Sequence, residues 1–298
     1  MVSFRTALST VLLASTALVS YGFTLPKPST LAAPGVAVVP SRGSKSSRLY
    51  MGWGPDPIWS DVEIESIQIG NLSKESSKVT VTVSPETAGD FKIPGQYVQV
   101  RAGEEGKPLF LAIASPPDAE NARFEFLIKK TDDNTWITNK DEASTGIQVS
   151  QVLGGGFPMK ENLDSVTKYD FPCQNILLFA SGSGIAPIAS AIESGQLQTG
   201  GARTARLYYG VRTETDLCFV DKFPLWERSG VEVVPVLSQP SDSWRGRTGY
   251  VQNALEEDGV PIPRNTGALM CGMKGMTESV RDVLTKAGVF DGRILTNF

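Results

Sequence analysis

The sequence predicts an antiparallel β-barrel followed by a parallel, doubly wound α/β domain. Between Ile64 and Val152, short segments that alternate apolar and polar residues are separated by turn residues, which is typical of an antiparallel barrel. After Pro172, nearly continuous apolar segments alternate with helical patterns, which indicates a parallel sheet covered by helices. The length of 298 residues agrees with two domains.

The first part contains the segments predicted to be the barrel strands. Ser-Pro, Pro-Gly and Pro-Pro pairs supply turns between them. Consecutive glycines from Gly154 to Gly156, followed by Pro158, close this part. In chain order, the predicted strands are VEIESIQIG, KVTVTVSP, GQYVQVRA, LFLAIASP, ARFEFLIKK and GIQVSQVL.

The second part opens with the buried-type strand NILLFA, which runs into SGSGIAP and the helix-like IASAIESGQL. The next predicted strands are ARLYYGVR, VEVVPVLS and GALMCG. The later predicted helices are VQNALEE and MTESVRDVLTKAG. Strands that alternate with helices in this way form parallel sheets.

The composition excludes several classes of chemistry. The chain has no histidine, which excludes Ser-His-Asp hydrolases, Cys-His pairs, histidine-ligated zinc and haem on a proximal histidine. Its 3 cysteines are too few for a four-thiolate iron–sulfur cluster. They leave at least one thiol unpaired, which favours a reducing compartment. We therefore expect no metal site, and redox chemistry here requires an organic cofactor.

The first 55 residues differ in charge from the rest of the chain. They hold 5 basic residues and no acid before Asp56, so that the remaining chain has 23 basic residues against 32 acidic ones, a net charge of −9. An acidic body argues against nucleic acid as a partner.

Residues 1–55 are predicted to be a targeting leader that is removed. The run ALSTVLLASTALVSYGF has the length of a signal-peptide core and is short for a membrane span. The stretch after it is rich in Ser, Pro, Ala and basic residues, like a transit peptide. With Phe23 at its junction, this leader resembles the two-part plastid leaders of algae with secondary plastids. We expect plastid localisation and no membrane span in the mature chain; a plain secretory signal with a disordered tail is the alternative.

The strongest local motif is the glycine turn from Gly182 to Pro187, directly after the predicted strand Ile176 to Ala180. Glycines allow a tight turn and close approach of a ligand, and the helix N-terminus that follows offers free N–H groups to a pyrophosphate. Pro187 suits a first helical turn. No Gly-Lys-Ser/Thr follows, which excludes a Walker loop. The alternative is a simple strand-to-helix connection.

A second motif, from Cys271 to Met276, lies at the end of the predicted strand GALM. Open α/β sheets bind ligands at such strand ends. Cys271 taken alone would be a small buried apolar residue.

These motifs together resemble a known family. FASGSGIAP, LYYGVRTETDL and MCGMKGM resemble, in order and spacing, the nucleotide half of the ferredoxin–NADP reductase superfamily, and IPGQYVQV and LAIASPP resemble its flavin barrel. The resemblance spans Asp61 to Phe298. It implies an FAD-binding barrel over residues 56–162, a Rossmann-like NAD(P)-binding domain over residues 172–298, and an FAD-dependent NAD(P)H oxidoreductase.

The resemblance also implies a nucleotide site in the second domain. The glycine turn would hold the NADP pyrophosphate, and Cys271 would lie beside the nicotinamide, where hydride passes to flavin N5. Ser238 matches a contact to the 2′-phosphate, and Tyr250 matches a residue that packs on adenine. The other nucleotide-binding residues implied are Gly182, Gly184, Pro187, Gly272 and Met273.

Arginines near these positions favour NADP over NAD, because a 2′-phosphate needs a cation. Arg212 follows a predicted strand, and Arg245 and Arg247 precede Tyr250. Solvated surface charge is the alternative role for each arginine, and NAD is the alternative nucleotide.

The flavin half departs from the family pattern. Family members carry Arg-x-Tyr-Ser along the flavin, where this chain has Leu109-Phe110-Leu111-Ala112. The departure resembles a diverged branch of plants and algae. Backbone groups of Ala112, Ile113, Ala114 and Ser115 remain to hold a flavin, with Tyr97 or Phe110 as packing surface. The stretch Asn134-Thr135-Trp136, and Thr135 in particular, is the nearest match to the family's pyrophosphate loop. The alternative function is a non-catalytic NADP-binding module that has lost flavin.

The chain ends in Phe298, which resembles the C-terminal aromatic gate of plant-type reductases. That gate covers the flavin face that the nicotinamide must occupy. The alternative is that Phe298 covers an apolar edge. Because the body is acidic, an acidic ferredoxin is not the expected electron partner. The electron partner is left open.

Overall fold

The computed structural model describes residues 56–69, 75–139, 141, 146–201 and 203–297. The predicted leader and Phe298 lie outside the described residues, and so do the predictions made for them. The described residues belong to one compact unit. No helix among them is both long enough and apolar enough to cross a membrane.

Antiparallel strands form the barrel predicted for the first part. They are β1 (Trp59–Ile69), β2 (Ser76–Thr82), β3 (Tyr97–Ala102), β4 (Leu109–Ala112), β5 (Arg123–Lys129) and β6 (Ile147–Ser150). Their order is β4-β3-β6-β1-β2-β5. The chain just after β4 meets β5, where the Ala114 N–H donates to the Glu125 carbonyl (2.7 Å). The prediction of an antiparallel barrel is confirmed.

The alternation of residues along the strands fills the barrel. Val79 and Val81 of β2 and Val98 and Val100 of β3 are fully buried and belong to one core cluster. Two short helices, α1 (Pro85–Asp90) and α2 (Thr135–Thr138), add Ala88 and Ile137 to this core.

A parallel sheet forms the second part, as predicted. Its strands are β7 (Asn175–Ser181), β8 (Thr204–Val211), β9 (Val231–Leu237), β10 (Arg247–Thr248), β11 (Thr266–Cys271) and β12 (Ile294–Thr296). The helices of this part are α3 (Met159–Asn162), α4 (Val166–Tyr169), α5 (Ile185–Glu193), α6 (Phe223–Arg228), α7 (Val251–Asp258) and α8 (Lys274–Ala287). Strands β10 and β12 were not predicted, because 2 or 3 residues show no period.

The strand order β10-β9-β8-β7-β11-β12 creates a switch point between β7 and β11. From β7 the chain builds outward through β8 and β9, and then returns to the other side of β7 to form β11. Connections therefore leave the carboxyl ends of β7 and β11 in opposite directions. Open α/β sheets bind ligands in the crevice at such a point.

Helix α5 joins the two parts of the molecule. All of its residues from Ile185 to Ile192 are buried, which is the pattern of a helix covered on every side. The Ser190 hydroxyl donates to the Ser115 carbonyl of the barrel (2.7 Å). Barrel residues Ala114 and Leu127 share a core cluster with this helix. Barrel and sheet therefore hold a fixed relation beside the crevice.

Candidate functional site

The two glycine junctions predicted from the sequence pack against each other at the switch point. The Ser181 hydroxyl, at the end of β7, accepts the backbone N–H of Met273, just after β11 (2.9 Å). Because β7 and β11 are parallel neighbours, with Ala180 opposite Cys271, the two motifs meet at the same edge of the sheet. The structure brings together what lies about 90 residues apart in the chain.

The glycines of the first junction have different tasks. Gly182 is exposed, has φ +55°, and would place an added Cβ in open space. An added Cβ on Gly184 would lie 2.2 Å from the Cys271 carbonyl oxygen. Gly184 therefore permits the close approach of the junctions, while Gly182 exposes backbone to the crevice.

Pro187 needs a correction. It is buried in α5 and takes part in the packing of that helix, so a direct nucleotide contact by this residue is not supported.

Gly272 is constrained by packing as well: its φ is +154°, and an added Cβ would lie 2.1 Å from the Ser181 hydroxyl oxygen. Met273 stands at the start of α8 with its side chain exposed, and is free to meet a ligand.

Cys271 ends β11 with 9% of its surface exposed. Burial raises the pKa of its thiol to about 12, and a hydrogen bond with the Asn297 side chain opposes this rise only in part. At neutral pH the thiol is therefore protonated, and Cys271 is a compact neutral group rather than a nucleophile.

Asn297 was missed by the sequence analysis. Its side chain contacts the Cys271 thiol, is 6% exposed, and has an Oδ1 that no described residue partners. Asn297 also borders the barrel, since a Cβ on Gly95 would lie 3.1 Å from the Asn297 Cβ. A Cβ on Gly154 would lie 2.7 Å from the Tyr97 ring and 3.9 Å from the Asn297 carbonyl. A single asparagine near the chain end carries no sequence signal for this position.

Tyr97 and Phe110 share the outer face of the barrel. Tyr97 pairs with Ala112, and Gln99 pairs with Phe110, so these side chains point away from the core. The two rings are 6.0 Å apart, and the Phe110 side chain is 66% exposed. They form an apolar surface, and its Tyr97 ring and the Asn297 carbonyl both border Gly154.

Leu109 and Leu111 face the other way. They pair with the buried Val100 and Val98 and pack on the barrel core. The family's tyrosine position, occupied by Leu111, therefore points inward here. The outward positions of β4 belong to Phe110 and Ala112.

The segment after β4 needs a second correction. Ile113 and Ala114 are fully buried, and their N–H groups donate to the carbonyls of Gln96 (3.2 Å) and Glu125 (2.7 Å). The Ser115 hydroxyl accepts the Glu125 N–H (3.2 Å). The N–H groups of Ile113 and Ala114 are therefore committed to the barrel and are not donors for a flavin. The predictions for Ala112 and for the Ser115 backbone stay predictions.

Thr135 begins α2 at the end of the barrel, and is half-buried. Asn134 before it is engaged internally: its side chain accepts the Thr131 N–H (2.9 Å) and donates to the Lys129 carbonyl (2.8 Å). That Thr135 contacts the flavin pyrophosphate stays a prediction.

The strands β8 and β9 carry the predicted adenosine end of the site. Arg212 follows β8, is exposed, and makes no ion pair among the described residues. Ser238 follows β9 and donates its N–H to the Val211 carbonyl (3.1 Å). Tyr250, 58% exposed, precedes α7. Among the described residues, the Arg245 guanidinium donates only to backbone carbonyls, those of Asp242 and Trp244.

Arg247 does not behave as predicted. Its guanidinium is paired with the carboxylates of Glu257 (2.5 Å) and Asp258, both on α7. Two anionic partners neutralise this cation, so it is not available to a 2′-phosphate. The pairing joins residues 10 and 11 positions apart across a turn, which the sequence pattern does not reveal.

Comparison with known proteins places the chain. The family model for the oxidoreductase NAD-binding domain matches residues 178–282. The fruit protein pKIWI502 of Actinidia deliciosa is 34% identical over 250 residues, which cover 80% of this chain and 76% of that protein. The chain belongs to the ferredoxin–NADP reductase superfamily.

More distant members of the superfamily agree with this assignment. The anthranilate 1,2-dioxygenase electron transfer component of Acinetobacter baylyi is 25% identical over 69% of this chain, and the chain spans only 57% of its length. A ferredoxin NADP+ reductase from Neisseria gonorrhoeae, solved with bound FAD and NADP, matches with a TM-score of 0.64 at 16% identity, over 80% of this chain and 97% of that one. At that identity the match shows a shared fold. Members of the superfamily are oxidoreductases, and the fold is that of its reductases.

Proposed function

We propose that this reductase-superfamily protein transfers hydride between NAD(P)H and FAD. The observation that carries the proposal is the meeting of three features at one edge: the crevice between β7 and β11, the Cys271–Asn297 contact, and the outer barrel face with Tyr97 and Phe110. A nicotinamide needs the first feature and a flavin ring needs the last.

The residues present fit a flavin ring. Tyr97 and Phe110 offer an apolar surface for stacking, and the buried Asn297 Oδ1 is an acceptor that awaits a donor. FAD, when bound, supplies the redox chemistry, while the protein supplies binding and orientation. Cys271 contributes a neutral group that keeps water from the reacting edge. Asn297 orients a ligand N–H, and Gly182 presents backbone to a phosphate.

The proposal is tested by titrating purified, colourless protein with FAD and then adding NADPH without oxygen. We expect the flavin absorption bands to shift on binding and to bleach on NADPH addition. The proposal would be overturned if the protein does not bind FAD and the flavin spectrum does not change when NADPH is added.

The alternative is a non-catalytic NADP-binding module. The observation that favours it is β4, where the Arg-x-Tyr-Ser side chains are absent and Leu111 points into the barrel. NADPH binding without any flavin binding in the same titration would establish this alternative.

We further propose NADP over NAD as the nucleotide. Arg212 and Arg245 have no carboxylate partner among the described residues. Arg245 lies close to Tyr250 in the chain, and Arg212 follows Val211, whose carbonyl accepts the Ser238 N–H. We expect the Arg212→Ala and Arg245→Ala double variant to lose the preference for NADPH. Arg247→Ala, the matched control, should keep it. Equal affinity of the parent for NADPH and NADH would contradict the proposal.

For residues 1–55 we propose plastid import. The support is their lack of acids and their signal-like run followed by a transit-like stretch. A fluorescent protein fused after residue 55 should accumulate in plastids of an algal cell with secondary plastids. Secretion of the fusion would favour the plain signal peptide instead.

A further inference from the structure

The outer barrel face extends beyond Tyr97 to a cation that the sequence analysis did not single out. Along β3, Val98 and Val100 are buried in the core, so Tyr97, Gln99 and Arg101 point outward together. Arg101 pairs across the sheet with Gln148 of β6. Arg101 therefore lies on the same face as the aromatic surface proposed for the flavin ring.

The Arg101 guanidinium is held in one place by neutral groups. Its Nε and one terminal nitrogen donate to Gln148 Oε1 (2.9 and 2.7 Å), and the other terminal nitrogen donates to the Glu104 carbonyl (2.7 Å). Its carbon lies 4.0 Å above the Trp59 ring. These bonds use three of about five N–H donors, and leave two for a ligand.

The charge of Arg101 has no carboxylate partner in an ion pair among the described residues. Asp61 is reached only through Gln148, whose Nε2 donates to it (2.9 Å). Arg206 and Arg247, in contrast, are each paired with two carboxylates. Arg101 thus combines a fixed orientation, free donors and an uncompensated charge, which are the properties of an anion-binding arginine.

The position of Arg101 matches that of the ribityl phosphate of a flavin nucleotide whose ring packs on Tyr97. Arg101 lies four positions beyond Tyr97 along β3, a distance of about 13 Å. In a flavin nucleotide the phosphate lies at the end of the ribityl chain, and its distance from the flavin ring is of the same order. Arg101 also follows Val100, the cross-strand partner of Leu109, the position that lacks the family's arginine.

We propose that Arg101 binds the phosphate of the flavin nucleotide, and supplies from β3 the cation that Leu109 of β4 does not provide. This inference rests on the proposed function, because it assumes a flavin on the outer face. Trp59 and Gln148 position the guanidinium, and the phosphate takes its two remaining donors.

A ligand series separates this role from a structural one. FAD, FMN and riboflavin share the ring, but riboflavin has no phosphate. Arg101→Gln should weaken FAD and FMN at least about tenfold, equivalent to about 1.4 kcal/mol. It should leave riboflavin unchanged. Arg123→Gln is the matched control, a barrel arginine paired with Glu65 (2.7 Å), and should change none of the three affinities.

The outcomes distinguish this inference from the proposed function. If the parent protein binds none of the three flavins, the proposed function fails. If the parent binds FAD and Arg101→Gln binds FAD equally well, only the assignment of Arg101 is overturned. An equal loss for riboflavin would show that Arg101 braces the barrel and would also overturn it. If Arg101→Gln does not fold, Arg101→Lys decides: its FAD-to-riboflavin affinity ratio should fall, since an ammonium lacks the guanidinium fork, and an unchanged ratio refutes the assignment.

Discussion

Replacing Gly184 by alanine tests whether the contact between the two glycine junctions maintains the nucleotide site. The backbone of Gly184 is helical, with φ −60° and ψ −10°, so alanine adopts it without strain. The added Cβ would lie 2.2 Å from the Cys271 carbonyl oxygen, 2.6 Å from its carbon and 2.9 Å from the Gly272 Cα. All of these are backbone atoms, so no side-chain rotation relieves the contact.

The size of the effect follows from the displacement. Ordinary van der Waals contact begins near 3.4 Å, so the junctions must separate by about 1.2 Å. That shift takes the 2.9 Å bond between Met273 N–H and Ser181 beyond hydrogen-bonding distance. Overpacking at about 1–3 kcal/mol and one lost hydrogen bond at about 1 kcal/mol together destabilise the fold by about 2–4 kcal/mol. We expect the melting temperature to fall by roughly 5–15 °C.

Thermal melting and NADPH titration measure this effect. We expect Gly184→Ala to melt lower and to bind NADPH at least about tenfold more weakly, a loss of about 1.4 kcal/mol, because the N–H groups of the turn are displaced. Gly275→Ala is the matched control: it lies in the first turn of α8 with nothing within 4 Å of its added Cβ. It should be neutral or stabilising by up to about 1 kcal/mol. A Gly184→Ala variant with the parent's melting temperature and affinity would refute the reasoning.

Further predictions concern stability and the orphaned amide. Arg293 is fully buried, donates to the Arg264 and Phe171 carbonyls, and lies 4.3 Å over the Tyr169 ring. Arg293→Met leaves these carbonyls without their donor and should lower the free energy of unfolding, measured in urea, by at least about 3 kcal/mol. A loss under about 1 kcal/mol would contradict this prediction. The pKa of the Cys271 thiol is raised from 9.0 to about 12 by burial. The stabilisation of the fold by the protonated thiol is therefore complete below pH 9 and is lost as pH rises from 9 to 12. Cys271→Ser should therefore show a shallower loss of unfolding free energy between pH 9 and 10.5, by up to about 1.4 kcal/mol per pH unit, and an identical slope would exclude the thiol as the cause. Asn297→Leu removes a buried side-chain carbonyl that has no donor among the described residues, so it should raise the melting temperature of the protein without cofactor. The same change should weaken the binding of FAD or NADPH. A lower melting temperature with unchanged binding would show that the amide only packs.

Periodicity accounts for the part of the fold that was predicted. Alternation at period two identifies barrel strands such as β2 and β3, and a continuous apolar run identifies β7, because each pattern reports how many faces of a strand are buried. Both glycine junctions were also predictable, since each is a short local signal at a strand end. The very short β10 and β12 carry no such pattern.

The fold class and the two glycine junctions were thus determined by the sequence alone, through patterns that span neighbouring residues. The strand order that brings the two junctions to one crevice was decided by the tertiary structure. Which side chains enter the site was decided only by tertiary structure. A one-residue change of register exchanges the two faces of a strand, so the pairing of β3 with β4 was needed to place Leu111 inside and Phe110 outside. Arg247 lost its predicted role to carboxylates on another element, and Asn297 gained one through a contact with Cys271, because charge pairing and burial depend on residues that only folding brings together.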